Sequence, residues 1–433
     1  MKKVFAVVLA FSVFVLSATA EQATTEPSVS GVTARQNWPW NGNVEILYTL
    51  STDKPCDMEV SATWRGQAEP VKLGCISGDI VNVSAGNRRI VWDPVEYGVE
   101  LPLTGFRVTV TPVSIEARKY LVMNLLNGSV SYSATEPDWR NNEAEFFYTN
   151  MIFRRISATT FNYGYPEDLK FINGQEVFNS RSYLRRVTLS SDYYIAIFPT
   201  TTTQEQAING VVNYNSKNLR LPTRTVFNGI RGSQDQGICW PETFHKMAPD
   251  SLLDKLRRKA KNSLPNTWKI DLPTGAQWEN AARAGTDDKQ FCDMEGATFD
   301  KNLEDLKKIF EGNVLWKDGD VVEPSYFGQF KANSFGLYDT IGGIPEFVLD
   351  WTRPSSSIDL EKSARPTTAV TDPTGMATPD NIKLVRQSRG GRNTSNTKIT
   401  ALLPGNAGNG YEETYNMGHR LCIHLKPITK IAD

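Results

Sequence analysis

Five cysteines, three histidines and almost no net charge in 433 residues set the first limits on this chain. The formal charge of −1 leaves no basic excess to neutralise phosphates, so nucleic acid is not an expected partner. His245, His419 and His424 are the only histidines. His419 and His424 stand five residues apart, which places them on opposite faces of a strand, and no HxxxH-type spacing occurs. A three-histidine metal centre is therefore not expected. Gly390-Gly391 and the glycine-rich stretch at 405–410 lack the lysine of a phosphate loop, and no GxSxG nucleophile motif is present. After the first twenty residues no apolar run is long enough for a membrane-spanning helix.

What is present begins with an export pattern. Lys2 and Lys3 precede an apolar run from Val4 to Leu16, and Ala18-Thr19-Ala20 forms a small-residue cleavage site. This predicts a signal peptide over 1–20 and a protein delivered to the periplasm, the cell surface or the medium. Its removal takes the formal charge to −3 and leaves about 410 residues, enough for two or three domains. Export permits disulfides, and an odd cysteine count leaves at least one thiol over.

Residues 28–113 read as an all-β module. The 44–51 segment alternates, with Val44, Ile46, Tyr48 and Leu50 on one side; 106–113 alternates again, and 88–94 is a strand stopped by Pro94. A β-sandwich of immunoglobulin-like type is expected, serving as a spacer or docking module. Cys56 and Cys75 flank two of its strands, and a bridge between them would contribute about 3 kcal/mol on chain entropy. Residues 114–150 read as a connector with one strand near 119–123.

Residues 151–428 form the main domain, of short helices, short strands and long loops. One helix follows Asp250, with Leu252, Leu253 and Leu256 on one face; another follows Asp300, with Leu303, Leu306, Ile309 and Phe310 inward. The best-defined helix follows Pro273. Thr274 and Gln277 form a capping box, Ala281, Ala282 and Ala284 favour helix, and Gly285 supplies a stop. Trp278 is expected in the core.

Three motifs stand in order: DLPTGAQWENAARAGT at 271–286, NSFGLYDTIGGIPEFVLDW at 333–351, and YNMGHRL at 415–421. A strand-like segment at 192–199, running into Thr200–Gln206, and a helical one at 225–233 precede them. Together they resemble the sulfatase-modifying-factor, or formylglycine-generating-enzyme-like, family over residues 151–428. The resemblance implies an α+β, C-type-lectin-like domain with much irregular loop. It implies calcium held by Asp339, Gly342, Ile344 and Glu346, and a second site beginning at Asn313 and Val314 with Asp318 or Asp320 as its acid. Two carboxylates seven residues apart across a Gly-Gly bend are the hard oxygens that calcium takes.

The family's oxidase converts a sulfatase cysteine to formylglycine with copper on a cysteine pair ahead of the terminal strand. Residues 384–420 contain no cysteine, Arg392 stands where the family has tryptophan, and Pro345 removes a backbone donor from the GGIPEF bend. Only Cys422 follows, and Cys239 and Cys292 lie upstream, with all three pairings open. This argues against copper. The expected function is an exported, non-catalytic binding protein that recognises a peptide, protein or glycan through its polar C-terminal loops, with Arg386, Arg389 and Arg392 at the ligand. A formylglycine-generating oxidase is the alternative.

Overall fold

The computed structural model describes residues 26–164, 184–211, 216–241, 243–286, 292–298, 301, 303–314, 326–352, 368–375, 385–391, 408–410 and 417–428. The expected signal peptide lies outside them.

The alternating segment forms the strand Val44–Ser51, with Val44, Ile46, Tyr48 and Leu50 buried as the pattern requires. It pairs with Ser28–Gln36 on one side and Gly86–Trp92 on the other, and Ile76–Gly78 completes a four-stranded sheet. Asp57–Trp64, flanked by Gln67–Lys72 and Arg107–Val113, forms a three-stranded sheet. Side chains of both sheets, among them Ile46, Trp92, Val60 and Val110, share one core.

No disulfide joins any of the five cysteines. The expected Cys56–Cys75 bridge does not form, because the two side chains face different neighbours. Cys56 Sγ lies 4.0 Å from Met58 Sδ, while Cys75 Sγ faces the Lys261 carbonyl at 3.4 Å in the following domain. Cys239, Cys292 and Cys422 are likewise not bridged to one another.

The 114–150 segment is more than a connector. Its strands Tyr120–Asn124 and Val130–Ser133 form one side of a six-stranded sheet. Beyond them the order runs Asn150–Ile156, Tyr193–Ala196, Cys422–His424 and Lys269–Asp271, antiparallel throughout. A second, four-stranded sheet runs Gly408–Gly410, Val385–Arg389, Glu346–Thr352 and Gly418–His419, the last pair parallel.

The helix Leu252–Ala260 is capped by Ser251 rather than Asp250, which stands in the left-handed region at φ 61°. The helix Leu303–Glu311 buries Leu306 and Phe310. The helix Gly275–Arg283 carries the predicted Thr274–Gln277 capping box, and Ala284 rather than Gly285 is its left-handed cap.

Candidate functional site

The Gly275–Arg283 helix is enclosed on all sides, and three buried carboxylates gather around it. Trp278 Nε1 donates to Glu346 Oε2 at 2.7 Å. Glu346 opens its strand between Gly418 and Arg389. The Arg420 guanidinium closes the group, donating to Glu346 Oε1 at 2.9 Å and Oε2 at 3.1 Å, and to the carbonyls of Tyr338 and Ala196. The motif tryptophan, the motif glutamate and the arginine of GHRL thus form one hydrogen-bonded unit.

Glu279, on the same helix, accepts from Arg283 Nε at 2.8 Å, Arg389 Nη1 at 3.1 Å and the Gly164 N–H at 2.8 Å. The third carboxylate, Asp350, accepts the Gly275 N–H at 2.6 Å, at the helix N-terminus. Burial lifts its pKa to about 6, against the pull of that hydrogen bond.

Two of the three arginines expected at the ligand are inside the protein. Arg389 is 1% exposed, bonded to Glu279, Gln387 and the Tyr163 hydroxyl. Arg386 is 0% exposed, its guanidinium 3.5 Å from the Trp351 ring centre and 4.3 Å from that of Phe227, with Nη1 donating to the Leu349 carbonyl. Both lie on the Val385–Arg389 strand, buried at every position. The structure therefore places them in the packing of the domain and not on a groove. Arg392 lies outside the described residues.

The calcium residues divide. Asp339 adopts φ 52°, and its half-buried carboxyl accepts the Gly328 N–H at 2.8 Å. Burial raises its pKa to about 6. A cavity of about 40 Å³ opens beside it, lined also by Asp293, Asn313 and Val314, so of the first predicted calcium set Asp339 alone meets the second there. Glu346 is not in that lining, since Arg420 and Trp278 hold both its oxygens. Gly342 donates its N–H to the Gly390 carbonyl, and the Ile344 side chain packs against Gly418. A cage closing on Glu346 has to compete with the Arg420 guanidinium. Asp318 and Asp320 lie outside the described residues, and among the described residues no cluster of three acidic, histidine or cysteine side chains could hold a metal.

A second charged cluster escaped the sequence reading. Asp271, fully buried, faces Arg231 Nε at 3.1 Å, His245 Nδ1 at 3.0 Å and Arg257 Nη2 at 3.5 Å. Burial alone would raise its pKa, but Arg231, His245 and Arg257 together hold it well below the carboxylate range. The His424 ring lies 4.8 Å from that of His245. Its Nε2 bonds the Leu272 carbonyl at 3.0 Å, and Nδ1 lies 3.3 Å from Gln277 Nε2. Two of the three histidines thus converge, His424 from a strand and His245 from a turn. His419 stands apart, fully buried, with neither ring nitrogen bonded among the described residues.

The thiols do not form a pair. Cys422 sits on the strand between Lys269–Asp271 and Tyr193–Ala196 in the six-stranded sheet, and Cys292 lines the Asp339 cavity. Burial drives both thiols well above their usual range.

Residues 168–425, more than half of the chain, match the sulfatase-modifying factor enzyme 1-like domain. The chain belongs to this family. The motifs that meet around the Gly275–Arg283 helix lie within the matched residues, and the match begins after the strands at 120–156 that complete the main sheet. Among curated proteins, "Chaperone protein LppX" of Paenibacillus barcinonensis is 25% identical over 216 residues, spanning 45% of this chain and 75% of the relative. No solved structure matches the chain. No helix among the described residues is long and apolar enough to cross a membrane.

Proposed function

We propose that this family member is an exported, non-catalytic binding protein whose ligand is a polypeptide segment, taken up by the C-terminal loops that follow Arg389. The observation that carries the first half is the state of the thiols. Formylglycine generation on copper needs two thiolates side by side, whereas Cys292 and Cys422 are dispersed, buried and held in the protonated form. The second half draws on the chaperone name of the relative, a protein that by that name acts on polypeptides. Of the three arginines first assigned to the ligand, Arg392 alone keeps that role, because Arg386 and Arg389 are committed to packing. The immunoglobulin-like sandwich carries this head as a docking module.

The formylglycine-generating oxidase is the competing reading, favoured by family membership. A CxPxR peptide incubated with the mature protein, copper and oxygen, then weighed by mass spectrometry, separates the two. No conversion is expected, together with suppressed aggregation of a heat-unfolded reporter protein, weakened by Arg392→Ala. Conversion of the cysteine to formylglycine would overturn the proposal.

Calcium is proposed as a structural ion on the Asp339 side, where it would neutralise a half-buried carboxylate that makes no ion pair among the described residues. Millimolar calcium is expected to raise the melting temperature of the wild type and not of Asp339→Asn. An equal rise in both would remove Asp339 from the site.

A further inference from the structure

The sandwich carries a feature that the family match does not cover. Between the strands Ser28–Gln36 and Val44–Ser51 the chain turns through Asn37-Trp38-Pro39-Trp40-Asn41-Gly42-Asn43. Trp40 is 86% exposed and Trp38 48%. An indole this open forgoes the burial that would stabilise the fold by a few kcal/mol.

The tip is held in place. Asn37 N–H donates to the Asn43 carbonyl at 2.9 Å, and Asn41 N–H to the Asn37 carbonyl at 3.2 Å. Gly42 lies so close to Val95 and Leu101 that an added Cβ would stand 3.1 Å and 3.0 Å from their methyl groups. The hairpin thus rests on the turn that follows the strand Gly86–Trp92 and presents both indoles on a fixed platform.

The chemistry around the indoles selects among partners. No residue from Gln36 to Asn43 carries a charge, and the turn beneath bears Glu96 and Glu100. An anionic membrane surface calls for lysine and arginine beside the aromatics, and here the nearby turn is acidic. Two indoles and the exposed Val95 form a patch far smaller than a stable protein–protein interface requires. What remains is a pair of exposed indoles on a segment that also carries the carboxamides of Asn37, Asn41 and Asn43, of which Asn41 Oδ1 already accepts the Asn43 N–H at 2.9 Å. Carboxamides both donate and accept, as a ring of hydroxyl groups demands, and an indole face stacks on the C–H face of a pyranose.

We propose that the Trp38–Trp40 hairpin tip is a binding site for a neutral polysaccharide, distinct from the ligand face of the main domain and independent of the function proposed above. The test is affinity electrophoresis of the full mature protein in gels containing hydroxyethylcellulose or glycol chitin, with sedimentation against phosphatidylcholine and phosphatidylglycerol vesicles as the second arm. Retardation by at least one polysaccharide is expected, about tenfold weaker for Trp40→Ala and abolished for Trp38→Ala/Trp40→Ala, with the melting temperature and reporter-protein binding unchanged. No retardation in either gel, retardation that survives the double substitution, or vesicle binding in place of polysaccharide binding would overturn it.

Discussion

At the scale of single residues, the domain owes its character to charges and imidazoles deprived of water. His419 is the sharpest case. Burial depresses its pKa to about 4, partly offset by Glu205, and neither ring nitrogen is bonded among the described residues. In the unfolded chain the ring titrates near 6.5. Between these values the unfolded state binds the extra proton, so stability is full above about pH 6.5 and falls as pH drops toward 4. The loss from this one residue is about 3 kcal/mol across that window. A phenylalanine ring of similar size carries no titratable nitrogen, so His419→Phe is expected to flatten the acid limb of urea-unfolding midpoints measured from pH 7 to pH 4. A variant with the wild-type slope would show that His424, depressed to about 3 by burial and by its neighbour His245, carries the acid sensitivity instead. Arg389 makes the complementary case. Arg389→Met strands Glu279 beside Arg283 alone, and a destabilisation of about 3 kcal/mol is expected from the broken buried pair. Affinity for a polypeptide reporter, measured well below the melting temperature, should hold, whereas Arg392→Ala should lower affinity and leave stability in place.

At the scale of elements, the Gly275–Arg283 helix shows what a sequence can and cannot disclose. Its ends were legible because capping is local: Thr274 and Gln277 satisfy each other's backbone partners without help from the rest of the chain. The strand Val44–Ser51 was legible for the same reason, since alternation within eight residues names its buried face. The strand near 119–123 was legible, but its place in the main sheet was not, because that depends on pairing with Asn150–Ile156, a non-local event with no local signature. The same limit hid the Asp271 cluster. Asp271 sits inside a motif read for its helix, while its partners arrive from 231, 245 and 257. The arginines of the Val385–Arg389 strand were misplaced because a polar segment reads as surface, whereas here stacking and ion pairing bury all five residues. Two substitutions separate the helix's local and non-local supports. Thr274→Ala removes the cap alone and should cost about 1 kcal/mol. Trp278→Phe replaces the indole by a smaller ring and deletes the N–H to Glu346 while Arg420 still holds both carboxylate oxygens, and a cost of about 2 kcal/mol is expected from the lost hydrogen bond to a charged group. Guanidinium unfolding of both and of the double variant reads the coupling; strict additivity would mean that the cap and the Glu346 network act independently.

At the scale of the whole molecule, the two domains are joined through their interiors rather than by a linker. Arg155, on a central strand of the six-stranded sheet, donates through Nη1 to Asp57 of the sandwich at 2.6 Å and through Nε to Asp192 at 2.8 Å. Asp57 is fully buried, and Arg118, which bonds Glu59 at 3.1 Å, lies 3.6 Å from it. The Cys75 N–H donates to the Leu264 carbonyl, the Asn266 N–H to the Ile76 carbonyl, and Gly74 packs so tightly on Asn262 that an added Cβ would stand 2.3 Å from its carbonyl oxygen. Charges removed from water on both sides of a boundary make separation costly, because opening it must rehydrate or strand them. The sandwich and the main domain should therefore unfold in one calorimetric transition. Arg155→Met leaves Asp57 and Asp192 without their shared cation, and the sandwich should then melt ahead of the main domain as a separate, lower-temperature peak. Asp57→Asn in the same chain removes one stranded charge and should move that peak part of the way back. A single unshifted transition in Arg155→Met would mean that the backbone contacts at 74–76 and 262–266 hold the domains together without the ion pairs.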